Sequence, residues 1–250
     1  MSHASCAKSL LLIGLLGIFP VACTEEKEQV LTVFAAVSLV DLIEDIGASP
    51  NAPLFEIHAA GSELLIRQVH GGAPADLLVV ARPLARGELP VPSPRVVPWM
   101  TTELVAAWAP HQSRPEFASS SPSALADLAG WRIAVADPGL APAGVYAERS
   151  IRREELWETL SPHLRFSAHV RDACGWALLG ETDAVLCYRT DVAALEGLEE
   201  LFPVPGGLVT YTLAVVAPPS RQEAALKLAT YFQGDAVSAI FVAHGFGKPR

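Results

Sequence analysis

The sequence is short of cysteine, of basic charge and of long apolar runs. Four cysteines occur in 250 residues. Cys6 and Cys23 fall within or at the end of the N-terminal apolar segment, which leaves Cys174 and Cys187 for the folded part. No CxxC and no Cys/His spacing accompanies them, so no metal site is indicated. The two thiols either pair in an oxidising compartment or stay free and buried, since both sit in apolar local patterns. The formal net charge is -9 with no run of Lys or Arg, which argues against a nucleic-acid partner. A small anion stays open as a ligand, because a local site can oppose the global charge. Past residue 23 no apolar stretch is long enough to span a membrane. There is no GxSxG elbow, no GxxxxGK[ST] loop and no HExxH pair. The acidic pairs Glu44/Asp45 and Glu199/Glu200 have no nearby base and read as solvated surface.

What is present is a globular composition, 51% hydrophobic and 18% charged, enough for one large core or two smaller ones. Residues 1–23 form a targeting segment: Lys8, then "SLLLIGLLGIF", then "PVAC", followed by the polar tether "TEEKEQ". The small residues before Cys23 resemble a bacterial lipoprotein signal, in which that cysteine becomes the acylated first residue; Pro20 stands where an aliphatic residue is usual. The alternative is cleavage and release. Both readings place the chain in the periplasm or another extracytoplasmic space, with any membrane contact made through the lipid anchor.

From Leu31 onward, strand and helix patterns alternate. Strands are expected at Leu31–Ala36, Phe55–Ala59, Leu77–Ala81, Leu104–Ala109, Arg132–Ala136, Ala184–Tyr188 and Tyr211–Ala217. Helices are expected at Ser38–Ile46, Ser62–His70, Ser123–Leu128, Ala143–Leu160, Val170–Leu179, Arg221–Gln233 and Ala236–His244. The alternation predicts an α/β protein with mainly parallel sheets flanked by helices. "RPLARGELPVPSPRVVP" and "HQSRPEFASSSPS" read as irregular segments.

Four strand-to-helix joints look alike: "FAAVSLVDL", "IHAAGSELLIRQ", "AVADPGLAPAGVYAERS" and "FSAHVRDACGWALL". Ser38 is expected to cap its helix, and Ser62 to open one behind Gly61. Pro142 sits before or at a first helical position, where its missing N–H costs nothing. Any one joint is ordinary helix capping. Four together, at the carboxyl ends of strands, are a set of partial positive charges and free N–H donors that can hold an anion without lysine or arginine.

These stretches, with "GSELLIRQVHGGAPADLLV", "VRDACGWALLGETDAVLCYRTD" and the ending "YTLAVV…YFQGDAVSAIFVAHGFG", resemble the periplasmic molybdate-binding proteins, the solute receptors of molybdate ABC transporters. The similarity runs from about Leu31 to Phe246. It implies two α/β lobes joined by two crossovers with the ligand in the cleft: residues 24–105 plus 212–250 as the first lobe and 106–211 as the second. It also implies a site for molybdate or tungstate made of Ser38, Ser62, the backbone N–H groups of Ala143 and Val170, and the hydroxyl of Tyr188. The implied partner is an inner-membrane permease; no cofactor is implied, and a monomer is the default.

All five groups would be uncharged donors. A fully ionised oxyanion accepts from every direction, whereas monoprotonated phosphate must also donate and would lack an acceptor. Charge-assisted hydrogen bonds contribute about 1.5–3 kcal/mol each. About six of them, less desolvation and closure, support binding of roughly 8–12 kcal/mol. Four features depart from the family, one being the segment between Ala81 and Leu104, which is short, with prolines replacing much of a helix. Glu63 follows Ser62: pointing inward it would repel a dianion, and pointing outward it is a first-turn acid favoured by the helix dipole, which is the expectation. Arg82 either reaches the cleft or pairs on the surface, and His58 is expected to be structural. The alternatives to molybdate are a receptor for sulfate or a small organic anion, and, remotely, a hydrolase using Ser38 or Ser62 with a neighbouring base.

Overall fold

The computed structural model describes residues 30–85, 87–90, 93–110 and 124–249. Cys23, the targeting segment and "HQSRPEFASSSPS" lie outside the described residues. The expected α/β class is what the chain adopts. The strands are β1 (Leu31–Ala36), β2 (Phe55–Ala60), β3 (Leu77–Val80), β4 (Val96–Trp108), β5 (Ile133–Ala136), β6 (Leu164–Ser167), β7 (Ala184–Tyr188) and β8 (Glu199–Val215). The helices are α1 (Val40–Gly47), α2 (Ser62–His70), α3 (Pro142–Arg153), α4 (Trp157–Leu160), α5 (Val170–Leu178), α6 (Arg189–Ala194), α7 (Gln222–Phe232) and α8 (Asp235–Ala243). Among the described residues no helix is long and apolar enough to cross a membrane.

All eight strands join in one sheet, ordered β2-β1-β3-β8-β4-β7-β5-β6. Each half holds a parallel set: β2, β1 and β3 on one side, β7, β5 and β6 on the other. The halves meet through β4 and β8, which run antiparallel with register irregularities at Pro98/Met100, Glu103/Val105 and Ala106/Ala107. These two strands carry the chain from one half to the other and back. They are longer than the sequence pattern suggests, because Pro203, Pro205, Gly206 and Gly207 look like breakers. Gly207 instead lets β8 pass close to β4: a Cβ there would lie 2.8 Å from Leu104 Cβ.

The continuous apolar run of β1 reflects burial on both faces. Val33 and Ala35 pack into the main core with Leu42, Ile43 and Ile46 of α1. Phe34 faces the other way, into a second cluster with Leu65, Ile66 and Val69 of α2. Alternate strand positions thus serve two helix layers.

Further elements differ from expectation. The helix expected at Ser123–Leu128 is a 3-10 turn over Ala124–Leu128, with residue 123 outside the described residues. The helix expected over Ala143–Leu160 is two helices, broken where Glu155 adopts a left-handed backbone with φ of 59°. Leu156 then reaches back to the Ile151 carbonyl, closing α3. Strand β6 and helix α6 were not expected. The first is a four-residue edge strand with two exposed members, too short for a period. The second is six residues long. Cys174 and Cys187 are free and buried, which decides between the two alternatives left open for them.

Candidate functional site

The parallel strands of both halves end at one place, and the loops that leave them enclose a small cavity. It is lined by Ala36, Val37 and Ser38 after β1, Ala60, Gly61 and Ser62 after β2, and Ala81 after β3. From the other half come Ala141, Pro142, Ala143, His169, Val170 and Tyr188. The five residues singled out from the sequence are therefore all brought together here, from both halves of the sheet. All are at most 5% exposed. The free volume is about 20 Å³, room for one water or a small ion.

The donors are aimed by their partners. Ser62 is the first residue of α2, behind Gly61 at the N-cap. Its Oγ accepts from the Ala81 N–H at 3.1 Å, which occupies a lone pair and leaves its hydroxyl proton free to be donated. Ala143 is the second residue of α3, after Pro142 at the first position, and Val170 is the first residue of α5. N–H groups in those positions have no carbonyl within their own helix. Gly144 explains the tightness of the "PAG" turn. A Cβ there would sit 2.1 Å from the Ala136 carbonyl oxygen, so only glycine lets α3 start so close to β5.

Ser38 corrects the sequence reading. It is not a helix cap: it lies inside a 3-10 turn, Val37–Leu39, that runs into α1, and no side chain caps either element. Its Oγ lies 3.0 Å from the Tyr211 hydroxyl instead. The turn shifts the start of the α-helix by two residues and swings the serine off the cap position toward β8. Between the two hydroxyls one proton is used in their mutual bond and the other remains for a ligand. Burial, with negative neighbours adding to it, pushes the phenols of Tyr188 and Tyr211 well above their usual pKa. Both are therefore protonated donors at neutral pH.

Among the described residues no charged side chain lines the cavity; the charges stand behind it. Glu63 points away and takes the Nε–H of Arg82 at 2.6 Å, with Glu88 on the same guanidinium. The outward orientation expected for Glu63 is thus the one observed, and Arg82 pairs near the surface rather than entering the site. His58 bonds Gln68 and its ring lies tilted against Phe34, centroids 4.6 Å apart, a structural role. A second network is unforeseen. Arg171 donates to Asp191 at 2.7 Å and to Asp41 at 2.6 Å, and Asp191 accepts the Tyr188 N–H at 3.1 Å. Asp191 is wholly buried. Its burial raises its pKa to about 6, with Arg171 and the Tyr188 N–H pulling the other way.

Among the described residues the hydroxyl partners of Ser38 and Ser62 are Tyr211 and the Ala81 N–H, with no histidine or carboxylate on either. His169 lines the cavity, but its ring accepts from the Asp172 N–H and faces the Asp172 carboxylate.

The chain is similar to known proteins along most of its length. The family profile described as bacterial extracellular solute-binding protein matches residues 31–247. Molybdate-binding protein ModA of Escherichia coli K12 is 29% identical over 231 residues, covering 88% of this chain and 89% of that one. The putative ABC transporter substrate-binding lipoprotein YvgL of Bacillus subtilis is 26% identical, covering 88% and 87%. Among solved structures, the periplasmic molybdate-binding protein of Azotobacter vinelandii superposes with a TM-score of 0.69 at 19% identity, covering 88% of this chain and all of that one.

Proposed function

The chain belongs to the bacterial extracellular solute-binding proteins, and on that premise we propose that it captures molybdate or tungstate and delivers the ion to an inner-membrane ABC permease. The observation that carries this is the make-up of the cavity: five buried groups of the kinds that donate hydrogen bonds without charge, drawn from both halves, around about 20 Å³. Ser38, Ser62 and Tyr188 donate through hydroxyls, Ala143 and Val170 through backbone N–H. Such a shell rewards an anion that accepts on all sides and disfavours one that must keep a proton. Similarity to two proteins named for molybdate or ABC-transporter substrate binding supports the same reading.

In this reading residues 24–105 with 212–250 act as one lobe and 106–211 as the other, hinging on β4 and β8. The protein is a monomeric carrier with no cofactor and no reaction of its own. Cys23 carries the lipid that holds it at the outer face of the membrane.

Sulfate is the second reading, favoured by the same uncharged shell, and cavity size separates the two. The test is calorimetric titration of residues 25–250, partly unfolded and refolded to strip carried-over ion. Molybdate, tungstate, sulfate and phosphate are added in turn. Tight one-to-one heats from molybdate and tungstate with little from sulfate are expected. Tight sulfate binding with weak molybdate transfers the assignment to sulfate, and silence from all four overturns the oxyanion site.

A further inference from the structure

The contact between Arg171 and Asp41 joins the two halves of the molecule, and neither residue lines the cavity. Asp41 lies in the first turn of α1, on the β1 side. Arg171 lies in the first turn of α5, on the β5–β7 side, beside Val170. Arg171 is 17% exposed at its side chain, Asp41 46% and Asp191 not at all. The guanidinium is therefore anchored on its own side by a buried carboxylate that also holds the Tyr188 backbone. It reaches over to a half-exposed carboxylate on the other. Burial works against the Arg171 charge, yet Asp191 and Asp41 hold its pKa above the ordinary value. One face of the arginine is preset and the other can engage or release.

We propose that Asp41 and Arg171 are positioning residues that latch the two halves over the bound ion, touching each other and not the ion. Resting on the oxyanion reading, this assigns ion retention to a contact outside the donor shell. When the halves part, Arg171 stays on Asp191 and Asp41 goes to water. When they close, the Asp41–Arg171 pair forms and the ion cannot leave until it breaks. The neutral shell gives selectivity, and the latch sets the rate of escape.

The latch and a simple field effect predict opposite signs. A carboxylate near a dianion repels it, so removing the Asp41 charge tightens binding if Asp41 acts through its field alone. If Asp41 is the latch, removing it speeds release. Asp41 is half exposed and outside the core, so Asp41→Asn and Asp41→Lys are expected to fold normally.

The experiment uses residues 25–250, with spin labels at Glu44→Cys and Glu181→Cys, exposed positions in opposite halves. Cys174 and Cys187 are buried and do not compete for label. Distance distributions are recorded without ion and with sodium molybdate, and release is followed by stopped flow. For Asp41→Asn the release rate is expected to rise about fivefold, the effect of losing one partly exposed ion pair. Association should be little changed. Asp41→Lys, which opposes Arg171, is expected to release faster still and to shift the ion-free distances toward the open form. Tighter binding or unchanged release in both variants, with unchanged distances, overturns the latch. If the unsubstituted protein binds none of molybdate, tungstate and sulfate, the oxyanion reading fails. The ion-free distances of Asp41→Lys still judge the latch: an open shift sustains it and identical distributions overturn it.

Discussion

Ser38 Oγ and the Tyr211 hydroxyl lie 3.0 Å apart, one on the turn after the first strand and the other on the strand that links the halves of the sheet. The bond ties a donor of the cavity to the hinge. It also fixes which way the serine hydroxyl points. Removing the tyrosine oxygen leaves the serine in place but free to rotate. Tyr211→Phe is therefore expected to weaken molybdate binding several-fold and to cost about 1 kcal/mol of stability. Ser38→Ala removes the donor itself and is expected to weaken binding by about ten- to hundredfold. Calorimetry and thermal melts on both variants check the order; equal losses would mean that Ser38 does not face the ion.

Gly61 meets the other half of the molecule. A Cβ on it would sit 3.2 Å from the Leu140 carbonyl oxygen, on the loop before α3. Its own φ is -62°, which alanine adopts freely. If the halves part as proposed, the contact is relieved in the open form. Gly61→Ala is expected to leave the melting temperature of the ion-free protein within about a degree while weakening molybdate binding several-fold. A loss of stability without a loss of affinity would place the cost in the folding of α2 instead.

Glu63 stands next to a cavity residue and still bears little on binding. Arg82 holds its carboxylate at 2.6 Å and turns it away from the cavity. With Glu88 on the same guanidinium the group carries one net negative charge, and each side chain is about a quarter exposed, so solvent screens it from the site. Glu63→Gln is expected to change molybdate affinity by less than about twofold. Arg82→Gln, which leaves Glu63 and Glu88 without their shared partner, is expected to weaken it more. The comparison is made by titration at low and at moderate salt.

Much of this arrangement was legible in the residues. Buried β3 shows as an unbroken apolar run and β1 as one interrupted only by Thr32, and α2 shows both its start behind Gly61 and its apolar stripe, so these elements match their expected spans closely. The cavity residues announce themselves as serine, proline and glycine at strand-to-helix joints. What the sequence hid is long-range. Nothing local says that Ser38 will meet a tyrosine 173 positions away, or that Asp41 will meet an arginine 130 away. Ser38 reads as a cap because serine before an amphipathic run usually is one; the Tyr211 hydroxyl and a 3-10 turn gave it another place. Asp191 carried a faint signal, sitting three residues after Tyr188 at a position where an acid bonds a preceding N–H. Its burial, which gives it weight, is a property of the whole fold.

Asp191 leads to the last expectation, a coupling between ion and proton. In the native protein its pKa is raised from 3.8 to about 6, burial being the main cause. A raised acid is held in its protonated form more firmly in the folded state, a contribution present below the unfolded value and lost as pH rises through about 6. The groups facing it are Arg171 on α5, Asp41 on α1 and the Tyr188 N–H, with Tyr211 and Cys187 close by. Arg171 and the N–H are in place whether the halves are open or closed. The value of about 6 belongs to the closed arrangement, with Asp41 already in place and water excluded; in the proposed opening both effects are relieved and the pKa falls, and a bound dianion raises it further. Binding is therefore expected to take up protons, most strongly near pH 6, and the uptake falls away as pH rises above that range. Calorimetric titrations with molybdate in buffers of different ionisation enthalpy measure the number of protons directly. Uptake near pH 6 that disappears in Asp191→Asn would assign it to this carboxylate. Zero uptake, or release, would mean that the ion and Asp191 do not feel each other through Arg171.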